Sequence, residues 1–93
     1  MKISILIPVY NDWESVSELI KNIDKEIKEL NHEFSVTIIN DASLEKKELN
    51  FQSLENINLI ELIHMKENRG HARCIASGLK YIFKKKDFDY VIP

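Results

Sequence analysis

Three features are scarce in this chain of 93 residues, and each scarcity excludes a class of protein. Cys74 is the only cysteine, which excludes an internal disulfide, gives no support for a zinc site and fits a reducing compartment. The formal net charge is only −2, so there is no bulk attraction to nucleic acid or to an anionic membrane. Long apolar runs are also lacking, and none could cross a bilayer.

The amino-terminal apolar run, Ile3–Val9, is too short for the core of a signal peptide. Polar Asn11 and Asp12 follow at once, without a small-residue cleavage site. The composition, 44% hydrophobic and 30% charged, is that of a globular protein, and the length allows one small domain. We therefore expect a single cytoplasmic domain over residues 1–93, whose parent could be membrane-associated through segments beyond Pro93.

Four apolar runs alternate with three helical patterns. The runs predict strands at Ile3–Val9, Phe34–Ile39, Ile57–Met65 and Phe88–Ile92. Helices are predicted from a cap at Asp12 or Asn11, from Ser43 to about Leu54, and from Asn68-Arg69-Gly70 onward. Strands alternating with helices build a parallel sheet. Right-handed crossovers, with the fourth strand returning beside the first, give a Rossmann-like α/β fold of strand order 3-2-1-4.

The helical spacing also predicts which faces are buried. The first helix would bury Trp13, Val16, Leu19, Ile20, Ile23, Ile27 and Leu30. The third would bury Ala72, Ile75, Ala76, Leu79, Ile82 and Phe83.

Polar residues follow the first two predicted strands, where a parallel sheet gathers its chemistry. Asp41 could accept the imide N–H of a uracil or thymine ring, or bind a ribose hydroxyl; alternatively, Asp41 and Ser43 only cap the next helix. Tyr10 could wall a base pocket, with Asn11 beside it. The alternative is that Tyr10 is a core tyrosine and Asn11 a helix cap.

The third segment precedes the last helix. Gly70 permits close backbone approach at a helix amino terminus, which attracts anions. Arg69, His71 and Arg73 add positive or ionisable groups, a combination that suits a diphosphate or a base carbonyl. The alternative is a surface turn with solvated arginines. All three segments would converge on one crevice at the switch point between the first and fourth strands.

Three stretches together resemble the amino-terminal half of family 2 glycosyltransferases: Ile3–Asn11, Ile38–Ser43 and Asn68–Arg73. These are inverting enzymes of the GT-A fold that use nucleotide-sugar donors. Gly70–Leu79 resembles a bacterial subgroup associated with surface polysaccharide synthesis. The resemblance implies a nucleotide site formed by Pro8, Tyr10, Asn11, Asp41, Asn68, Gly70 and Arg73. Asp41 would read the uracil edge, and the last three would border base and diphosphate.

The chain also departs from that family. Asn40 replaces the commoner aspartate. The family's Asp-x-Asp motif, which holds a manganese or magnesium ion after the fourth strand, would lie at or beyond Pro93, as would the catalytic base. Asp87 and Asp89 precede the fourth strand and should lie at its opposite end. We therefore expect no catalytic or metal-binding residue in this chain. The parent enzyme would transfer a sugar from a nucleotide-sugar donor, preferably a UDP-sugar, to a glycan or lipid acceptor, and this part of it would be inactive alone.

Two other interpretations stay open at this point. One is a non-catalytic nucleotide-binding or interaction module built on the same α/β unit. The other, a phosphoacceptor receiver domain, is disfavoured because no acidic pair follows the first strand. With the strand order 3-2-1-4 the fourth strand would be an exposed edge, and such edges pair with neighbouring molecules. Self-association through Tyr90, Val91 and Ile92 is therefore predicted.

Overall fold

A computed structural model describes residues 1–44, 54–85 and 89–92. Its strands are β1 (Lys2–Val9), β2 (Glu33–Asn40), β3 (Ile57–His64) and β4 (Tyr90–Ile92). They form one sheet of order β3-β2-β1-β4, with every neighbouring pair parallel. The predicted order is confirmed, and the first three strands end within one residue of their predicted bounds.

Two α-helices lie within the described residues, α1 (Trp13–Glu26) and α2 (His71–Lys85). Asp12 caps α1, where its Oδ1 accepts the N–H of Ser15 at 3.3 Å, and a 3₁₀ turn, Ile27–Glu29, follows. The helix predicted from Ser43 to Leu54 falls for the most part outside the described residues.

The face of the sheet that α1 covers follows the prediction. Trp13, Val16 and Ile20 pack with strand residues including Ile7 and Val36. Leu19 and Leu30 are exposed instead, so the buried stripe is narrower than predicted. A stripe of this width is what a helix lying on one face of a sheet needs.

The predicted buried face of α2 is wrong for four of its six residues: Ala72, Ala76, Leu79 and Phe83 are exposed. Ile82 is buried as predicted and Ile75 is partly buried, whereas Cys74 and Gly78 complete the buried face. A Cβ added to Gly78 would meet Ile39 and lie 2.6 Å from Leu6 Cδ1, so the helix backbone lies close against the sheet. This close approach selects the small residues and turns Phe83, which is 80% exposed, outward.

Among the described strands, β4 lies at one edge of the sheet. β4 pairs with β1 through only three residues, and Tyr90 is 59% exposed. This edge position matches the prediction, whereas self-association through it stays a prediction. Within the described part of the chain, neither helix combines the length and the apolar character that a membrane span requires.

Candidate functional site

The carboxyl ends of β1, β2 and β3 are joined by backbone hydrogen bonds. The N–H of Asp41 donates to the carbonyl of Val9, and the N–H of Met65 donates to the carbonyl of Asn40, both at 2.8 Å. The segments that follow these strands therefore meet where the strands end, at the carboxyl-terminal edge of the sheet. This is where α/β proteins place their ligands.

Asp41 lies beneath this edge and is only 1% exposed. Its Oδ1 accepts the backbone N–H of Arg69 at 2.7 Å, and its Oδ2 accepts that of Gly70 at 2.9 Å. The thiol of Cys74 is a further donor. Asp41 therefore fastens the turn that precedes α2, a contact between residues almost thirty positions apart.

The charge on Asp41 results from opposing effects. Burial alone would raise the pKa of this carboxyl, but the N–H of Arg69, the Cys74 thiol, the N–H of Gly70 and nearby His71 together hold the pKa below its usual value. Burial and the Asp41 charge raise the pKa of Cys74 to about 11. At neutral pH the site therefore holds a carboxylate facing a protonated thiol.

The turn itself depends on Gly70. Its φ is +84°, in the left-handed region, and a Cβ added there would meet no atom of the described residues within 4 Å apart from its chain neighbours. Glycine is therefore needed here for its backbone conformation, since the space beside it is open.

The loop after β1 is tied to the loop after β2. The N–H of Asn11 donates to Ser43 Oγ at 2.8 Å, and Asn11 Oδ1 accepts the N–H of Leu44 at 2.8 Å. The N–H of Ser43 in turn donates to Asn40 Oδ1 at 2.9 Å. Asn11, which has a φ of 62°, thus bridges the two loops, whereas Asp12 caps α1.

The other predicted nucleotide-site residues lie nearer to solvent. Tyr10 is 38% exposed, so its ring is not part of the core. Pro8 is half-buried, in register with Ile39, and Asn68 is exposed. Their contacts with a nucleotide stay predictions.

Arg73 lines a pocket of about 580 Å³ between the end of β3 and one flank of α2. The lining residues are His64, Met65, Lys66, Glu67, Arg69, Arg73, Ala76 and Ser77. Three of these side chains are cationic and one is acidic, and the exposed Arg69–Glu67 pair (3.2 Å) contributes little stability. Tyr10 and Asp41 are not among the lining residues, so this pocket is not the crevice on which the three segments were predicted to converge.

The described residues do not fit a divalent metal ion. No three His, Cys, Asp or Glu side chains are grouped within residues 1–44, 54–85 and 89–92 so as to hold one. The oxygens of Asp41 face N–H donors. Asp89 lies at the other end of the strands, beside the start of β1, where its Oδ2 accepts the N–H of Lys2 at 2.8 Å. That position of Asp89 agrees with the prediction.

Sequence reasoning missed Asp24 on α1, which is buried. Its Oδ1 accepts the N–H groups of Asn56 (2.8 Å) and Ile57 (2.9 Å), and its Oδ2 accepts that of Glu55 (3.1 Å). The available signal was a carboxylate placed within the apolar stripe, four residues after Ile20. Burial would raise the pKa of Asp24, but these N–H groups lower it below its usual value.

Both carboxylates predict acid sensitivity. The pKa values of Asp24 and Asp41 in the folded state lie below the ordinary 3.8. Their contribution to stability is therefore present above that value and is lost as the pH falls through the folded pKa values. Urea unfolding between about pH 7 and about pH 2.5 should show this decline, and Asp24→Asn should make it shallower. An unfolding free energy that does not fall at low pH would contradict the assignment.

Comparisons with known proteins agree with this architecture. The family model for glycosyl transferase family 2 matches residues 4–92. The chain is 31% identical, over 98% of its own length and 27% of the relative's, to an undecaprenyl-phosphate 4-deoxy-4-formamido-L-arabinose transferase of Proteus mirabilis (strain HI4320). It is 29% identical, over 86% of its length and 22% of the relative's, to a dolichol-phosphate mannosyltransferase of Pyrococcus furiosus. The chain thus spans about a quarter of the length of these relatives.

Proposed function

Because the chain belongs to glycosyl transferase family 2, we propose that it forms the nucleotide-binding part of an enzyme that transfers a sugar from a UDP-sugar to a lipid phosphate. The observation that carries this proposal is the meeting of the three strand-end segments at one edge of a parallel sheet. The lipid phosphate is suggested by the names of both relatives, each of which contains one.

The chemistry of the edge suits binding of the donor. Tyr10 offers a partly exposed ring on which a base can stack. The amino terminus of α2, with Arg69 and Arg73 beside it, favours the negative charge of a diphosphate. Displacement at the anomeric carbon also needs a general base and stabilisation of the leaving diphosphate. The described residues include no group of His, Cys, Asp or Glu side chains that could hold a metal ion against that diphosphate, so we propose that this chain binds the donor without turnover.

Calorimetric titration with UDP tests the proposal. We expect binding, and Tyr10→Ala should weaken it about tenfold because base–aromatic stacking contributes about 1–3 kcal/mol. Tyr90→Ala is the matched control. This tyrosine is also exposed, but it pairs with Ile3 near the amino-terminal end of β1, away from the proposed site. Its affinity should equal that of the wild type.

Two outcomes would contradict the proposal. Absence of binding at about 1 mM UDP would favour an interaction module instead. Sugar transfer by this chain alone, with UDP-sugars and manganese, would show that the catalytic groups are present here.

A further inference from the structure

The oxygens of Asp41 are already engaged by the protein. Two consecutive backbone N–H groups, of Arg69 and Gly70, point at its two oxygens at 2.7 and 2.9 Å, and the Cys74 thiol lies against it. Only 1% of the residue is exposed. A side chain that reads a base has to present a polar atom to the ligand, and this carboxylate presents its oxygens to the turn.

The turn, in contrast, faces outward. Gly70 has open space where a side chain would be, and Arg69 and Arg73 line the cationic pocket beside β3. Gly70 is in the left-handed region, a conformation that needs support from its surroundings. A buried anion that accepts two successive N–H groups provides that support, because each of these hydrogen bonds is charge-assisted.

We propose that Asp41 is a positioning residue: its carboxylate fixes the Asn68–Gly70 turn and the start of α2, and thereby the groups that meet the nucleotide, without itself contacting the base. This inference rests on the proposed nucleotide-binding function. It differs from the role that the resemblance implied, in which Asp41 reads the uracil edge.

The two roles predict different base selectivity for Asp41→Asn. Uracil has an N–H at N3, whereas cytosine has an acceptor there. A carboxylate can pair only with the uracil N–H, but an amide can pair with either group, so Asp41→Asn in contact with the base would shift the preference from UDP toward CDP. A positioning role predicts that the affinities for UDP and CDP both fall about tenfold, because the turn must be ordered on binding. Their ratio should stay within about twofold of the wild-type ratio, whereas a shift of about tenfold or more toward CDP would overturn the inference.

A second variant reaches the same turn without changing the carboxylate. Gly70→Ala places a side chain at a φ of +84° but in open space, so it should disturb the turn through backbone strain. We expect an equal loss of affinity for UDP and CDP. Unchanged affinities for both nucleotides in Gly70→Ala would contradict the inference, even if Asp41→Asn folds too poorly to be measured.

Amide hydrogen exchange of the 93-residue chain separates this inference from the proposed function. In Asp41→Asn, the amides of Arg69 and Gly70 should exchange at least about tenfold faster than in the wild type. Unchanged exchange at both amides would overturn the positioning role, whatever the nucleotides do. A wild-type chain that binds neither nucleotide would overturn the proposed function, while the exchange rates would still decide whether Asp41 holds the turn.

Discussion

Replacing Asp24 with alanine is expected to lower the free energy of unfolding by about 3 kcal/mol. The substitution removes the acceptor for three backbone N–H groups, those of Glu55, Asn56 and Ile57, at the start of β3. A fully buried donor left without a partner costs about 1–3 kcal/mol, and these three hydrogen bonds are partly buried, so water will offset part of the sum. Urea denaturation at neutral pH measures the loss directly.

Asp12→Ala is the matched control on the same helix. Asp12 is exposed, and its carboxylate makes one backbone contact, the 3.3 Å cap to the N–H of Ser15. Removing this cap should cost about 1 kcal/mol or less. Equal losses of unfolding free energy in Asp12→Ala and Asp24→Ala would mean that the three hydrogen bonds accepted by Asp24 contribute no more stability than one exposed helix cap.

The position of Asp24 gives these hydrogen bonds a wider role. β3 is an edge strand, and its pairing with β2 contains an irregularity between Phe34 and Ser35, close to Ile57. An edge strand has hydrogen-bonded support from one side only. Asp24 holds the residues that enter β3, and Asp41 holds the turn that follows it. Loss of either carboxylate should therefore loosen the same strand from opposite ends.

The strand order and the α1 cap could be predicted because their causes are local or general. Ile3–Val9 and Phe34–Ile39 are apolar runs without helical spacing, which indicates strands buried on both faces. The handedness of crossovers then leaves few arrangements. Asp12 needs only the residues that immediately follow it in order to act as a cap.

The orientation of α2 and the partners of Asp41 could not be predicted, because their causes are distant in the chain. Leu79 and Phe83 form an apolar stripe at helical spacing, but the contact with the sheet is decided by Gly78, which the hydrophobic pattern does not register. Asp41 meets backbone N–H groups whose own residue types carry no signal. A carboxylate at a strand end predicted a ligand contact, which stays a prediction; the internal hydrogen bonds that Asp41 makes had no signal in the sequence.

Gly78→Val is expected to be destabilising by about 3 kcal/mol, because the helix backbone lies against two buried side chains. A Cβ at this position would meet Ile39 and would lie 2.6 Å from Leu6 Cδ1. Both side chains are almost fully buried, so they have little room to move away. Helix propensity favours valine over a helical glycine by up to about 1 kcal/mol, which is too little to offset this overpacking.

Ser77→Val, at the exposed neighbouring position, is the matched control and should change stability by less than about 0.5 kcal/mol. Thermal and urea unfolding of the two variants compare the same side chain at a buried and at an exposed position of α2, and equal midpoints would refute the close packing of this helix on the sheet.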